Sequence, residues 1–304
     1  MTNDAARLAG ALKLKACGTR QWRGDCPACG YRGALALSEG EAGRTLFWCA
    51  NCRDSGAIID ALNGRGLWEG KAAGSGAPDP TVIERMAERD RRRQERTARM
   101  AALAARAWVS AGPILGTAGE RYLREVRGIT GPLPPSIRFQ PAAWHSESGV
   151  HLPAIVCGAA CWPSRAVVAI HRTFIRPDGS GKASVVPDRK TLGPVAGASI
   201  RLASAAPTMA VGEGLETCLS VAAATGLATW AAMFAGNIPA LALPDLPLAS
   251  EIVIAADHDA NGVGQRAAEN AAERWTRQGR RVRIALPPRA GQDFNDVARG
   301  TAHV

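Results

Sequence analysis

From Thr208 to Pro287 the sequence alternates short apolar runs with helix-like ones. TMAVGE (208–213) precedes GLETCLSVAAATG (214–226); ATWAAM (228–233) precedes a Pro-rich loop; EIVIAAD (251–257) precedes GVGQRAAENAAERWTRQG (262–279); RVRIALP (281–287) follows. Strands separated by helices return to the sheet by crossovers, so this order predicts a doubly wound, mainly parallel α/β sheet. In such a sheet ligands sit at the carboxyl ends of the strands.

The acidic residues fall at those ends. Glu213 closes TMAVG, Asp257 and Asp259 follow IVIAA, and Asp293 and Asp296 come just after the last strand in GQDFNDV. If extended geometry continues past the strand, Asp257 and Asp259 point to one side and His258 to the other. Carboxylates converging on one edge repel unless cations stand between them, and Mg2+ or Mn2+ suits oxygen donors. A lone DxDxxG is commonly a turn or a helix cap. The succession EG, DxDxxG, GxDxxD at three strand ends is far more specific.

A second constellation lies near the start. Cys26 and Cys29 (CPACG) and Cys49 and Cys52 (CANC) form two CxxC knuckles, a spacing that suits one tetrahedral, structural zinc ion. Residues 17–62 around them read as a small β module. Cys17, Cys157, Cys161 and Cys218 have no second pair and are expected to pack as small apolar residues. Residues 64–81, rich in Gly, Ala, Ser and Pro, have the composition of a flexible linker. A strongly helical stretch with eight arginines between 85 and 106 follows it, a solvated face by default and a nucleic-acid face by alternative. From about 112 come a short helix around 119–126 and apolar segments at 152–160 and 165–176, which read as an antiparallel hairpin region.

Thirty-seven Lys and Arg against 27 Asp and Glu give a net charge of +10, which favours polyanionic partners. No window approaches the ~20 apolar residues of a membrane span, and the N-terminus lacks the apolar core of a secretory signal, so a cytoplasmic protein without membrane association is expected. DGSGKAS (178–184) fails as a P-loop, because Arg176 and Ala183 stand where Gly and Ser or Thr are required; an ATP-driven helicase is excluded on that ground. Eight tryptophans, against five phenylalanines and two tyrosines, gain no assignment beyond packing and base stacking.

GEGLETCLS, IAADHDANGVGQRAAENA and LPPRAGQDFNDV resemble the three motifs of a Toprim domain, the metal-binding fold shared by bacterial-type primases, topoisomerases and some nucleases. The region from 112 onward, with AVVAIHRTFIRPDGSGKA and RKTLGP, resembles primases carried by phages, plasmids and integrated elements. FWCANCRDSGAIIDAL is similar to the closing knuckle of the primase zinc-binding domain, although many relatives use His where Cys29 stands.

The resemblance implies a zinc-ribbon template-binding domain at 1–66, a linker and Arg-rich helix at 67–110, a basic α+β primase subdomain at 111–205 and a Toprim catalytic domain at 206–304. Glu213 would be the acid/base or metal-linked carboxylate, with Asp257, Asp259 and Asp293, joined by Asp296, holding two or more Mg2+ or Mn2+ ions. Arg172, Lys182 and Lys190 would face phosphates of nucleotide or template. His171 and His258 read equally as ordinary polar residues. One position departs from the pattern: bacterial replicative primases have a further Asp where this chain has Thr217, with Glu216 one position earlier.

The implied activity is RNA primer synthesis from ribonucleoside triphosphates on single-stranded DNA, alongside a separate replicative helicase. The alternatives are a Toprim nuclease and a noncatalytic DNA-binding adaptor that recruits a helicase. A topoisomerase is disfavoured, since the only tyrosines are Tyr31 and Tyr122.

Overall fold

The computed structural model describes residues 5–40, 43–52, 54–68 and 80–300, with two compact units, Met1–Asp90 and Arg91–Val304. Most of the expected linker, residues 69–79, lies outside the described residues. Among the described residues no helix is long and apolar enough to cross a membrane.

The first unit is an antiparallel meander of β1 (Lys15–Gly18), β2 (Gln21–Gly24), β3 (Leu35–Glu39) and β4 (Thr45–Cys49), in that order. Helix α1 (Ala5–Ala11), which the sequence reading does not single out, and α2 (Ser55–Asn63) supply the rest of its core. Leu35 and Leu37 alternate inward from β3 to meet Leu8, Ile58 and Leu62. Asp54 caps α2 by accepting the Ala57 N–H at 2.9 Å, so the helix starts three residues after the last knuckle cysteine. Cys17 is exposed on β1, which corrects the expectation that it packs; Cys157 and Cys218 are buried and Cys161 is half-buried.

The second unit contains two five-stranded sheets. The first is antiparallel: β5 (Gly112–Pro113), β6 (Ile137–His145), β7 (Val150–Ala159), β8 (Ala169–Phe174) and β9 (Arg189–Leu192). The expected hairpin is β7 paired with β8. Strand β6 escapes sequence reading because Pro141 interrupts it; the register shifts between Gln140 and Ala143, and such a bulge is where a strand tolerates proline. The last turns of helix α3 (Pro80–Ser110) pack Ala104 and Trp108 against this sheet, α4 (Ala118–Arg121) follows β5, and Arg138 on β6 stacks over the Trp108 ring at 4.2 Å.

The other sheet runs β10 (Ile200–Arg201), β12 (Ala228–Ala231), β11 (Thr208–Gly212), β13 (Glu251–Ala255) and β14 (Arg281–Ala285). All its pairings are parallel except β10 with β12, so the expected mainly parallel sheet is present. Helices α5 (Leu215–Thr225) and α7 (Phe294–Arg299) cover one face and α6 (Val263–Arg277) the other. Met209, Val211, Ile252 and Ile254 pack with Trp275 of α6, while Ala210 and Ala255 face Val221 of α5. Burial on both faces is why these strands read as unbroken apolar runs rather than alternating ones.

Candidate functional site

The four knuckle cysteines meet. Their Sγ atoms all lie within 4.8 Å of one another, with Cys26 to Cys52 at 3.9 Å and Cys29 to Cys49 at 3.7 Å. Thiolates bound to zinc at ~2.3 Å form a tetrahedron with edges of about 3.8 Å, so the set fits one such ion without rearrangement. Backbone N–H groups of Asn51 and Cys52 point at Cys49 Sγ, each at 3.4 Å. The N–H of Tyr31 chiefly brings the Cys29 thiol down to about 6, toward the thiolate a metal needs.

The carboxylates are brought together by strand order. Gly212 at the end of β11 is in parallel register with Ala255 at the end of β13, so Glu213 and Asp257 emerge from neighbouring strands at the same edge. The approach is close: a Cβ on Gly212 would stand 2.8 Å from Cys218 Sγ, and one on Gly264 would stand 2.9 Å from the Asp257 carbonyl oxygen. Gly264 therefore lets the start of α6 sit against the acidic loop, where its N–H donates to Asp259 Oδ2 at 3.0 Å. Glu213, Asp257 and Asp293 line a cavity of about 60 Å³ together with His171, Arg189, Glu216 and Thr217.

Burial first, then the charges of Glu213, Asp293 and Asp259, push the Asp257 carboxyl up to about 7. Burial, with Asp259 second, raises Glu213 as well. Asp257 Oδ1 is buried without a hydrogen-bond partner. A half-buried carboxylate among others, with one oxygen unsatisfied, is a donor set a hard divalent cation fits. The spacing is open: among the described residues only the four cysteines bring three or more ligand atoms within 4.8 Å. Magnesium commonly uses one or two carboxylates and completes its shell with water and substrate phosphate, which such spacing permits.

Asp296 does not line this cavity. Its carboxylate accepts the Asp293 N–H while Asp293 Oδ1 accepts the Asp296 N–H, a reciprocal capping box at the start of α7. Asp293 keeps Oδ2 toward Arg127, 3.8 Å from its Nη2. His258 Nδ1 donates to Pro287 O at 2.9 Å, and His258 does not line the cavity.

The basic residues divide by sheet face. Arg172 on β8 is paired directly with Lys190 on β9, and His171 with Thr191, so Arg172 and Lys190 share one face and His171 takes the other with Arg189. Arg172 and Lys190 accordingly do not reach the acidic cavity. Lys190 pairs with Glu147 and Ser146, Arg172 donates to Trp144 O at 3.2 Å, and Lys182 forms a 2.8 Å ion pair with Asp188.

The cation that does line the cavity is Arg189, which sequence reasoning passed over although RKTLGP contains it. The available signal was strand alternation: whichever face Lys190 takes, Arg189 takes the other. Glu216 was likewise missed as a partner. Burial would raise its pKa, but Arg189 and then Arg127 hold it below the ordinary carboxylate value. His171, deeply buried, is pushed down to about 4 and is neutral at physiological pH.

Acidic strand ends around a cation-ready cavity on a mainly parallel sheet define the metal-binding class to which Toprim domains belong. Residues 208–303 match the Toprim domain family, and the chain carries a Toprim domain there. Residues 98–202 match a domain of unknown function, DUF7146. No curated protein matches the chain.

Among solved structures the chain is similar to a DNA primase domain from Pseudomonas aeruginosa at 17% identity, covering 66% of this chain and 74% of that one, with a TM-score of 0.44. It is also similar to the Aquifex aeolicus primase zinc-binding and RNA polymerase domains at 13% identity, covering 96% and 78%, TM-score 0.43. The primase fragment of the bacteriophage T7 primase-helicase protein matches at 14% identity over 91% and 94%, TM-score 0.39.

Proposed function

We propose that the chain is a DNA primase, synthesising short RNA primers on single-stranded DNA by metal-dependent nucleotidyl transfer. The observation that carries the reading is the buried, unsatisfied Asp257 oxygen between Glu213 and Asp293 at the carboxyl edge of a Toprim sheet, in a chain that also holds a four-cysteine cluster. Asp257, Asp259 and Asp293 would hold Mg2+ or Mn2+, with Glu213 as acid/base or further ligand. Bound there, divalent cations would lower the pKa of the attacking 3′-hydroxyl and neutralise charge on the triphosphate.

The chain's own residues supply the rest. Arg189, aligned by Glu216, presents the cavity's guanidinium to an incoming phosphate, and neutral His171 adds no charge to compete with it. Glu213, its pKa raised, is suited to carry a proton in one state and release it in another. The domains follow the division 1–66, 67–110, 111–205 and 206–304, with the zinc module gripping template. Arg172 and Lys190, turned away from the acidic cavity, and Lys182, which does not line it, belong to a template surface rather than to the nucleotide being joined. A cytoplasmic setting with a separate helicase completes the reading.

Incubating the protein with single-stranded DNA, labelled ribonucleotides and magnesium tests it. Labelled primers that vanish in Asp257→Asn support the proposal. Cleavage of the DNA would make the protein a nuclease, and binding without product would make it an adaptor.

A further inference from the structure

Three of the tryptophans meet around one cavity of about 720 Å³, in the size range of ligand pockets. Trp108, Trp162 and Trp230 line it together with Arg138, Arg165 and Arg201, and among the described residues no carboxylate does. It shares no lining residue with the acidic cavity: on β10 the neighbours Ile200 and Arg201 point to opposite sides, Ile200 to the carboxylates and Arg201 to the tryptophans.

The planes are arranged as stacking surfaces. Arg201 lies over the Trp162 ring at 5.4 Å and the Trp230 ring at 4.9 Å, and Arg138 over Trp108 at 4.2 Å. Arg138 is held by the carbonyls of Trp108 and Ala111, and Arg201 donates to Ala160 O at 3.3 Å, so both guanidiniums are fixed in place. Arg165 is exposed; burial lowers the pKa of Arg201, Cys161 opposes this, and the charge of Arg165 adds to the lowering. Three polar atoms inside have no partner although they are buried: Ser136 Oγ, Ser199 Oγ and Arg201 Nε. Ser199 is only 2% exposed.

Uncompensated guanidiniums and unsatisfied hydroxyls call for an anion, and flat aromatic walls call for a planar ring attached to it. An inorganic anion would leave most of the volume unfilled, and a neutral aromatic would leave the charges unmatched. We propose that this cleft binds a nucleotide unit, its base stacked among Trp108, Arg138 and Trp162 and its phosphate held by Arg165, Arg201 and Ser199. The unit is either a free nucleotide or one residue of a single strand. The inference stands on this cavity alone, whether or not the carboxylates join nucleotides.

The test uses the full, zinc-loaded chain without added divalent cation, so that the acidic cavity repels phosphate. Adenosine, ADP and a twelve-nucleotide oligothymidylate are titrated separately, by calorimetry and by tryptophan quenching. ADP binding that weakens about tenfold in Arg165→Glu, a substitution at an exposed position, identifies a free-nucleotide site. Oligonucleotide binding with the same loss, and none for ADP, identifies a strand site. In either case log Kd should rise with log salt. The proposal is overturned if neither ligand binds, or if adenosine binds as tightly as ADP. It also fails if Arg165→Glu and Arg201→Gln, each with an unchanged urea midpoint, bind as the parent does; oligonucleotide held by the zinc module alone would give that result.

Discussion

Arg189 Nη2 lies 3.1 Å from Glu216 Oε1, and only 5% of the Glu216 side chain is exposed against 40% of Arg189. The pair ties an antiparallel strand, β9, to the first turn of α5 in the Toprim domain. It thereby sets a guanidinium beside the carboxylates that end β11 and β13.

Removing Arg189 alone leaves a buried carboxylate without its main partner. Arg189→Met should destabilise the protein by about 3 kcal/mol, the low end for breaking a buried pair because Arg189 is partly solvated. Arg189→Met with Glu216→Gln should recover more than half of that in urea unfolding, since the stranded charge is gone. If the chain makes primers as proposed, the double variant should still fail to do so, which separates the guanidinium's proposed role toward phosphate from its role in packing. Equal losses in the single and double variants would show that the ion pair does not stabilise Glu216.

Asp257 gives a pH dependence with a definite sign. Its folded-state carboxyl titrates near 7 against an ordinary value of 3.8, so the folded state holds a proton that the unfolded state has already released. Without magnesium, stability should be highest below about pH 4 with respect to this group and fall as pH rises toward 7. Asp257→Asn should remove that decline and raise stability at pH 8 by up to about 4 kcal/mol, the ceiling set by about 1.4 kcal/mol per pH unit. Urea midpoints at pH 5 and pH 8 in magnesium-free buffer provide the comparison. Parallel slopes for parent and variant would place the Asp257 titration elsewhere.

Cys49 is fully buried and accepts two backbone N–H groups, so its replacement cannot be bypassed by solvent. Cys49→Ser should lose zinc and unfold the module of Met1–Asp90, because metal binding supplies much of the folding free energy of so small a unit. The Toprim domain should keep its near-UV signal from Trp230 and Trp275. One full equivalent of zinc by elemental analysis would refute the four-cysteine site.

The parallel sheet was legible because strand and helix alternate locally, and both-face burial writes β11 and β13 as unbroken apolar runs. Zinc spacing was legible for the same reason: CxxC is a local pattern whose geometry hardly depends on the rest of the chain. The division between Arg172 with Lys190 and His171 with Arg189 was not, since it depends on how β8 and β9 pair and on which face of that sheet meets Leu215 and Leu219. Alternation alone says that neighbours diverge, not which one turns inward. Asp296 was similarly opaque. Its spacing from Asp293 fits a ligand pair and a capping box equally, and the short helix α7 makes the capping box.

Thr217 bears on how many cations the site can hold. It lines the acidic cavity and is only 2% exposed, and Glu216 beside it, which lines the same cavity, is engaged by Arg189. A hydroxyl is a weaker ligand for a hard cation than a carboxylate, which leaves one side of the cavity with less negative charge. Thr217→Asp should therefore tighten Mn2+ binding about tenfold in a titration followed by paramagnetic relaxation of water. It should also lower stability in metal-free buffer above pH 5, because another buried carboxylate would stand beside Glu213 and Asp257. Both effects should disappear together when Asp257→Asn is added, if the new carboxylate and Asp257 share one cation. Retention of the tighter Mn2+ binding in that double variant would assign Thr217 to a separate site.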